Sequence, residues 1–226
     1  LNALLAATDG TVTATINGAA ANLASLTATG SDTGTSTLTI TVNDAATAAR
    51  GAAIADATDA ATVDFSAAGV NDTFANLVNA GNSAVSANMA KIDAKDADVA
   101  VTVSDTIGTA TTANVADLNA LLAATDGTVT ATINGNYAQL SNITTTGSDT
   151  GTSTLTITVN DAVTAAQGNT ALGLTDGTVI YGGGVSDTFA NLVNAGNSAV
   201  STNMGNIDAA DADVAVTVSD TDRKST

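Results

Sequence analysis

The sequence has no cysteine, histidine, proline or tryptophan, and every one of its acids is aspartate. Without cysteine there are no disulfides, thiolate nucleophiles or zinc–thiolate sites, while the redox compartment stays open. Without histidine or glutamate, catalysis is confined to paired aspartates or a Ser–Lys couple. Neither finds support. Lys91 and Lys95 of one repeat copy become Asn206 and Ala210 in the other, and no aspartate pair is marked by a pocket pattern, so no enzymatic role is expected.

Positive charge is equally scarce: 5 Lys and Arg stand against 22 acids, a formal net charge of −17. Phosphate backbones need Lys and Arg to displace their counterions, so nucleic acid is not an expected partner. Anionic membranes are disfavoured for the same reason. No apolar run approaches the roughly 18 to 20 residues of a spanning helix, and membrane insertion is not expected. Aromatics are limited to 3 Phe and 2 Tyr, so the 44% hydrophobic content must pack as thin layers of Ala, Val, Leu and Ile.

What the sequence has is repetition. Leu1 to Gly18 recurs unchanged at Leu118 to Gly135, and the segment from Gly30 recurs at Gly147, both at an offset of 117 residues. The segments starting at Asp72 and Asp96 return at Asp187 and Asp211 at an offset of 115, so two residues are lost between Ala162 and Asp187. Near-identical copies at a fixed period indicate an array whose units stack on their neighbours. Residues 1–222 therefore read as one continuous array, a first copy over 1–117 and a partial second over 118–222, followed by a divergent tail at 223–226. Leu1 falls inside a repeat unit, so the native N-terminus is expected upstream, and the lack of a visible signal peptide carries no information.

Each copy contains a finer period of about 25 residues. Alternating strand patterns begin near Thr11, Ser36, Ala61, Val99, Thr128, Ser153, Thr178 and Val214. Between them, Val115, Leu118, Leu121 and Leu122 keep helical spacing, and Leu23 with Leu26 marks a shorter turn. The series Phe74, Leu77, Val78, Val85, Met89 and Ile92, repeated from Phe189 to Ile207, predicts one longer helix that accounts for the wider strand gaps. Asp72 and Asp187 stand where they would cap it.

The expected fold is α/β, a right-handed βα solenoid with a parallel sheet on one face and helices on the other. The alternative is a tandem pair of β-sandwich modules. In the strand at Ser36, Leu38, Ile40 and Val42 would face inward and Thr37, Thr39 and Thr41 outward, with the same outward rows at Thr11, Thr13 and Thr15, at Thr128, Thr130 and Thr132, and at Thr154, Thr156 and Thr158. A hydroxyl row of this kind suits a sugar, a mineral or ice, but threonine is also simply a good soluble strand former. Ala14, Asp64 and Ser104 are expected to interrupt the row.

Asp93, Asp96 and Asp98, with their counterparts Asp208, Asp211 and Asp213, are candidate calcium ligands, since carboxylates at this spacing in a turn can converge on a hard cation. No EF-hand loop frames them, and aspartate between helix and strand equally serves as a turn or cap residue, the role assigned to Asp9, Asp44, Asp105, Asp126, Asp161 and Asp220. Calcium is the one cofactor the sequence suggests.

The phrasing of the units, with Ala116 to Ile133, Val99 to Thr106 and the Ser-Asp-Thr-Phe-Ala-Asn-Leu run from Ser186, resembles the Ala, Thr and Asp-rich repeats of very large secreted or surface proteins of bacteria, notably marine cyanobacteria. That resemblance implies an extracellular or cell-surface location and a structural or adhesive role, and it brings no catalytic residues. The expected partners are other copies of the chain, associating head to tail, and a cell-surface or carbohydrate ligand.

Overall fold

Alternating β-branched residues set the strands, and short runs rich in alanine and leucine set the helices between them. The computed structural model describes residues 1–8, 10–26, 36–59, 62–65, 67–144, 153–194, 196 and 198–220. The expected strand start at Ala61, the turn residue Asp9 and the tail after Asp220 lie outside these.

The strands are β1 (Thr13–Gly18), β2 (Thr37–Val42), β3 (Val63–Asp64), β4 (Val70–Asp72), β5 (Val101–Thr109), β6 (Val129–Gly135), β7 (Thr154–Val159), β8 (Thr178–Ile180), β9 (Val185–Asp187) and β10 (Val216–Val218). The helices are α1 (Asn2–Leu5), α2 (Ala20–Leu23), α3 (Ala48–Asp56), α4 (Phe74–Leu77), α5 (Ala87–Asp93), α6 (Thr112–Ala124), α7 (Tyr137–Leu140), α8 (Ala165–Ala171), α9 (Phe189–Leu192) and α10 (Thr202–Ala210).

The protein is α/β, with parallel sheets and interleaved helices. Among the described residues the strands form three sheets, β1-β2-β3, β4-β5-β6-β7-β8 and β9-β10, and these strands pair in parallel. Parallel bridges from Ala46 to Val70 and from Val163 to Val185 carry the pairing across the breaks between sheets. This overturns the sandwich alternative. Sandwich strands are antiparallel and joined by tight turns, whereas parallel neighbours need a crossover, which the helices supply here.

Burial follows the expected alternation in β2, where Leu38, Ile40 and Val42 are buried while Thr37 and Thr39 are exposed. Ala14 pairs with Leu38 and packs against the core, so it belongs to the inner face and does not interrupt the outer one. One apolar cluster runs from Ala20 to Ile207, with Phe65, Ile54, Met89, Ile92, Leu118 and Ile133 among its fully buried members.

The single long helix expected from Phe74 to Ile92 is two helices. α4 ends at Leu77, Val78 turns extended and forms an antiparallel bridge with Val85, and α5 starts after the Ser86 cap, whose hydroxyl accepts the Met89 N–H at 3.2 Å. The intervening Asn79–Ser83 stretch breaks the helix because it favours turns: Gly81 has φ +76° and Ser83 φ +51°. The apolar spacing was right and its continuity was not.

One residue of the two-residue loss is also visible. The first copy passes from β3 to β4 through Phe65 and reverses at Gly69, with φ +64°, and the second reaches Gly184, with φ +73°, one residue sooner through Tyr181. The shorter path needs Gly183, where a Cβ would sit 2.2 Å from the Asp161 carbonyl carbon.

Candidate functional site

The aspartates explain themselves once the strands are stacked. Ala20 N–H donates to Asp44 at 2.6 Å, Ala48 N–H to Asp72 at 2.9 Å, and Phe74 N–H to Asp105 at 2.6 Å. In the second copy, Tyr137 N–H donates to Asp161 at 2.7 Å, Ala165 N–H to Asp187 at 3.0 Å, and Phe189 N–H to Asp220 at 2.7 Å. Each donor is the first residue of a helix, and the acceptors lie at or just beyond the end of the next strand, except Asp105, which lies inside β5 where the register with β6 shifts. A carboxylate of the next strand row thus caps the helix that precedes that row, where the helix dipole favours negative charge.

Asp72 and Asp187 were expected to cap the helices that follow them. The caps of α4 and α9 are instead Thr73 and Thr188, neither with a side-chain cap bond, and Asp72 and Asp187 reach back to α3 and α8. A rule that looks three residues ahead cannot see an acceptor 24 residues away in sequence. The available signal was a strand-end aspartate recurring once per sub-unit while Ala19 caps α2 with no side-chain acceptor at all. Burial raises the pKa of Asp72 and Asp187, but bonds from Asn76 or Asn191 and two backbone amides outweigh it, leaving both below the usual carboxylate range. Their stabilisation is present above the unfolded pKa of about 3.9 and is lost as pH falls through the lowered value.

Threonines, Thr58 and Thr125 buried and Thr175 half-buried, provide a second tie between strand rows that the sequence analysis missed. Thr58 donates to the Leu38 carbonyl at 2.9 Å, Thr125 to the Val99 carbonyl at 2.6 Å, and Thr175 to the Leu155 carbonyl at 2.9 Å.

The candidate calcium ligands divide. Asp96 accepts the Phe65 N–H at 2.7 Å and Asp211 the Tyr181 N–H at 2.8 Å, so both brace the bend between strands of one row. Asp98 and Asp64 crowd Asp96 around a surface depression of about 290 Å³ that Lys95 also lines. Asp93, at the end of α5, is instead under the influence of Asp126, and its pKa is raised by burial and by that charge. Asp208, the counterpart of Asp93, lines a separate apolar depression, and Asp213 is exposed. Among the described residues no three acidic side chains form a metal-ligating group.

Burial pushes Asp96 up to about 6, with the Asp98 hydrogen bond and the charges of Asp98 and Asp64 adding to it and the Phe65 N–H opposing it. Because the folded value exceeds the unfolded one, the contribution of Asp96 is fully present below about pH 3.9 and is lost as pH rises through about 6. Ile180 occupies the Asp64 position in the second copy, between Val179 and Tyr181. Asp64→Asn is therefore expected to raise the unfolding midpoint by about 1 to 3 °C at pH 7.5 and to leave it nearly unchanged at pH 3.5. Calorimetry at the two pH values checks this, and an equal shift at both would contradict it.

The outer sheet face carries threonines in register: Thr102, Thr130 and Thr154 form one row, and Thr106, Thr132, Thr156 and Thr178 another. The rows are uneven, because the β5–β6 register shifts between Thr102 and Thr106 and Thr132 and Thr156 are only half-exposed.

Apart from Ile180 on β8, the exposed large apolar side chains among the described residues lie at the two ends of the strand order. Leu1 and Leu4 are exposed beside β1, and Val200, Val216 and Val218 beside β10. The last three line an apolar depression with Phe189, Leu192, Val193 and Met204. No helix among the described residues is long and apolar enough to cross a membrane. Compared with models of protein families, with curated proteins and with solved structures, the chain matches none.

Proposed function

We propose that the chain is a structural or adhesive repeat segment of an extracellular surface protein, coiled as a right-handed βα solenoid. One observation supports this above the others: strand pairing follows chain order, and α2, α3, α4, α7, α8 and α9 each donate their first N–H to an aspartate of the next strand row. Such an array is held by nearest-neighbour interfaces, and its value to a surface protein is reach and repetition without a reaction pocket. The hand follows from the right-handed preference of parallel crossovers.

A stack with apolar ends associates through them. The Leu1 and Leu4 end of one copy meets the Val216 and Val218 end of another, giving head-to-tail oligomers. Sedimentation velocity across a concentration series is expected to show growth beyond the monomer, suppressed by Leu4→Asp with the unfolding midpoint kept. A chain that stays monomeric at millimolar concentration contradicts the association. The location is tested separately with an antibody to the chain: labelling only after permeabilisation of source cells rules out a surface role.

Two ligand readings each rest on an observation. The in-register threonine rows favour a carbohydrate or ice surface, for which thermal hysteresis lost on replacing Thr39 and Thr156 with bulky residues is the discriminating result. The calcium reading keeps only the neighbouring carboxylates Asp96 and Asp98 of its expected first set, and a midpoint that rises with calcium and falls with chelator is its discriminating result.

A further inference from the structure

The two copies provide a comparison within one molecule. The segment Asp72 to Asp105 and its counterpart Asp187 to Asp220 are nearly identical in sequence, and among the described residues the first is followed by α6 and β6 while the second is the last. Val101 and Val103 are 1% and 7% exposed, while the matching Val216 and Val218 are each 48% exposed. Val85 is half-buried and packs against the core, while the matching Val200 is 56% exposed. The difference lies in what covers them.

The cover in the first copy is specific. α6 buries Val115, Leu118, Leu121 and Leu122, and its Asp117, only 2% exposed, accepts the Gly81 N–H at 2.7 Å and the Ser83 N–H at 2.8 Å. The left-handed φ of Gly81 and Ser83 belongs to the turn that presents those two amides. The second copy carries the same Asn-Ala-Gly-Asn-Ser loop over 194–198, and there the Ser198 N–H turns to the Asn194 side chain at 3.1 Å.

α1 shows which side of such a helix faces backward. Leu1, Leu4 and Leu5 match Leu118, Leu121 and Leu122. Leu5 and Leu122 are both buried, whereas Leu1 and Leu4 are 41% and 55% exposed against 0% for Leu118 and Leu121. Leu118 and Leu121 are therefore the side chains that lose their cover when the preceding turn is absent.

We propose that the face formed by Phe189, Val193, Val200, Met204, Val216 and Val218 is a docking site for a helix carrying the Val-x-Asp-Leu-x-x-Leu-Leu pattern of α6, with the Asp carboxylate of that helix held by the Gly196 and Ser198 amides. The leucines fill the apolar depression, and the carboxylate sets the register, because an apolar helix alone would slide. The proposal deepens the array reading and rests on it: the partner is the next unit of the same repeat. A second copy of this chain brings Leu1 and Leu4 but has no residue at the Asp117 position, so it docks more weakly than a helix of the full pattern.

The test uses the full chain and a fluorescein-labelled, end-capped peptide of residues 110–126. An isolated helix of this length is marginal in water, so ordering it weakens binding, and a dissociation constant of about 10 to 100 μM is expected. Anisotropy should saturate at one peptide per chain. A peptide with Asp117→Asn should bind roughly tenfold more weakly, since the interaction lost is a charge-assisted hydrogen-bond pair. Val200→Asp in the chain, an exposed position that leaves the fold and its circular dichroism intact, should abolish binding.

Absence of saturable binding, equal binding of the Asn peptide, or undiminished binding to the Val200→Asp chain each overturns the proposal. If the peptide fails while the chain still self-associates through Leu4, this inference falls and the array reading stands. If the peptide binds while the chain stays monomeric, the site holds and the self-association does not.

Discussion

Gly69→Ala is expected to destabilise the protein by about 3 kcal/mol or more, because two costs add at this position. Its φ of +64° lies in the left-handed region, which costs an L residue about 1 to 2 kcal/mol. The added Cβ would also lie 2.1 Å from the Ala100 carbonyl oxygen, which already accepts the Val70 N–H at 2.8 Å. Relief of that overlap requires β4 to move away from β5, and this weakens the first pairings of the longest sheet. Gly184→Ala is the internal control: its φ is +73° and the equivalent contact, to the Ala215 oxygen, is 2.6 Å. It sits beside the two-stranded β9–β10 sheet, so its damage stays local to the last turn. Urea unfolding should show the larger loss for Gly69→Ala, and a loss below about 1 kcal/mol there would contradict the strain argument.

The strand rows were legible in the sequence because each carries its own evidence within a few residues. Leu38, Ile40 and Val42 alternate with threonine, and that period of two fixes both the strand and its buried face. The helix spacing in the Phe74 to Ile92 region was legible for the same reason. Its interruption was not, because the apolar positions on either side of Asn79–Ser83 stay in phase while the turn residues between them decide the break. The acids were the least legible part. Asp44, Asp161 and Asp220 read correctly as residues just past a strand, whereas Asp105 lies inside β5, and all four accept from the helix that precedes their strand. Asp117 was silent, since on a helix between alanine and leucine it resembles a solvated charge, and only the fold brings the Gly81 and Ser83 amides to it. Interactions between successive strand–helix units, distant in sequence, are thus the class that local reading misses.

The pair Leu121 and Leu4 compares one repeat position in two surroundings, covered and uncovered. Leu121 is 0% exposed and Leu4 is 55% exposed. Leu121→Ala removes a fully buried side chain and leaves a cavity between turns, a change that costs about 2 to 5 kcal/mol in other cores. Leu4→Ala removes a side chain already in contact with water, and surface changes of that kind stay within about 0.5 kcal/mol. Chemical unfolding of dilute protein should therefore separate the two variants by at least about 2 kcal/mol. At concentrations where chains associate, Leu4→Ala should gain a phenotype it lacks when dilute, a shift of the sedimentation distribution toward monomer, because the docked Leu4 becomes the equivalent of Leu121. Equal costs for the two variants in dilute solution would mean that the cover over Leu121 adds nothing, and the nearest-neighbour account of this fold would fail with it.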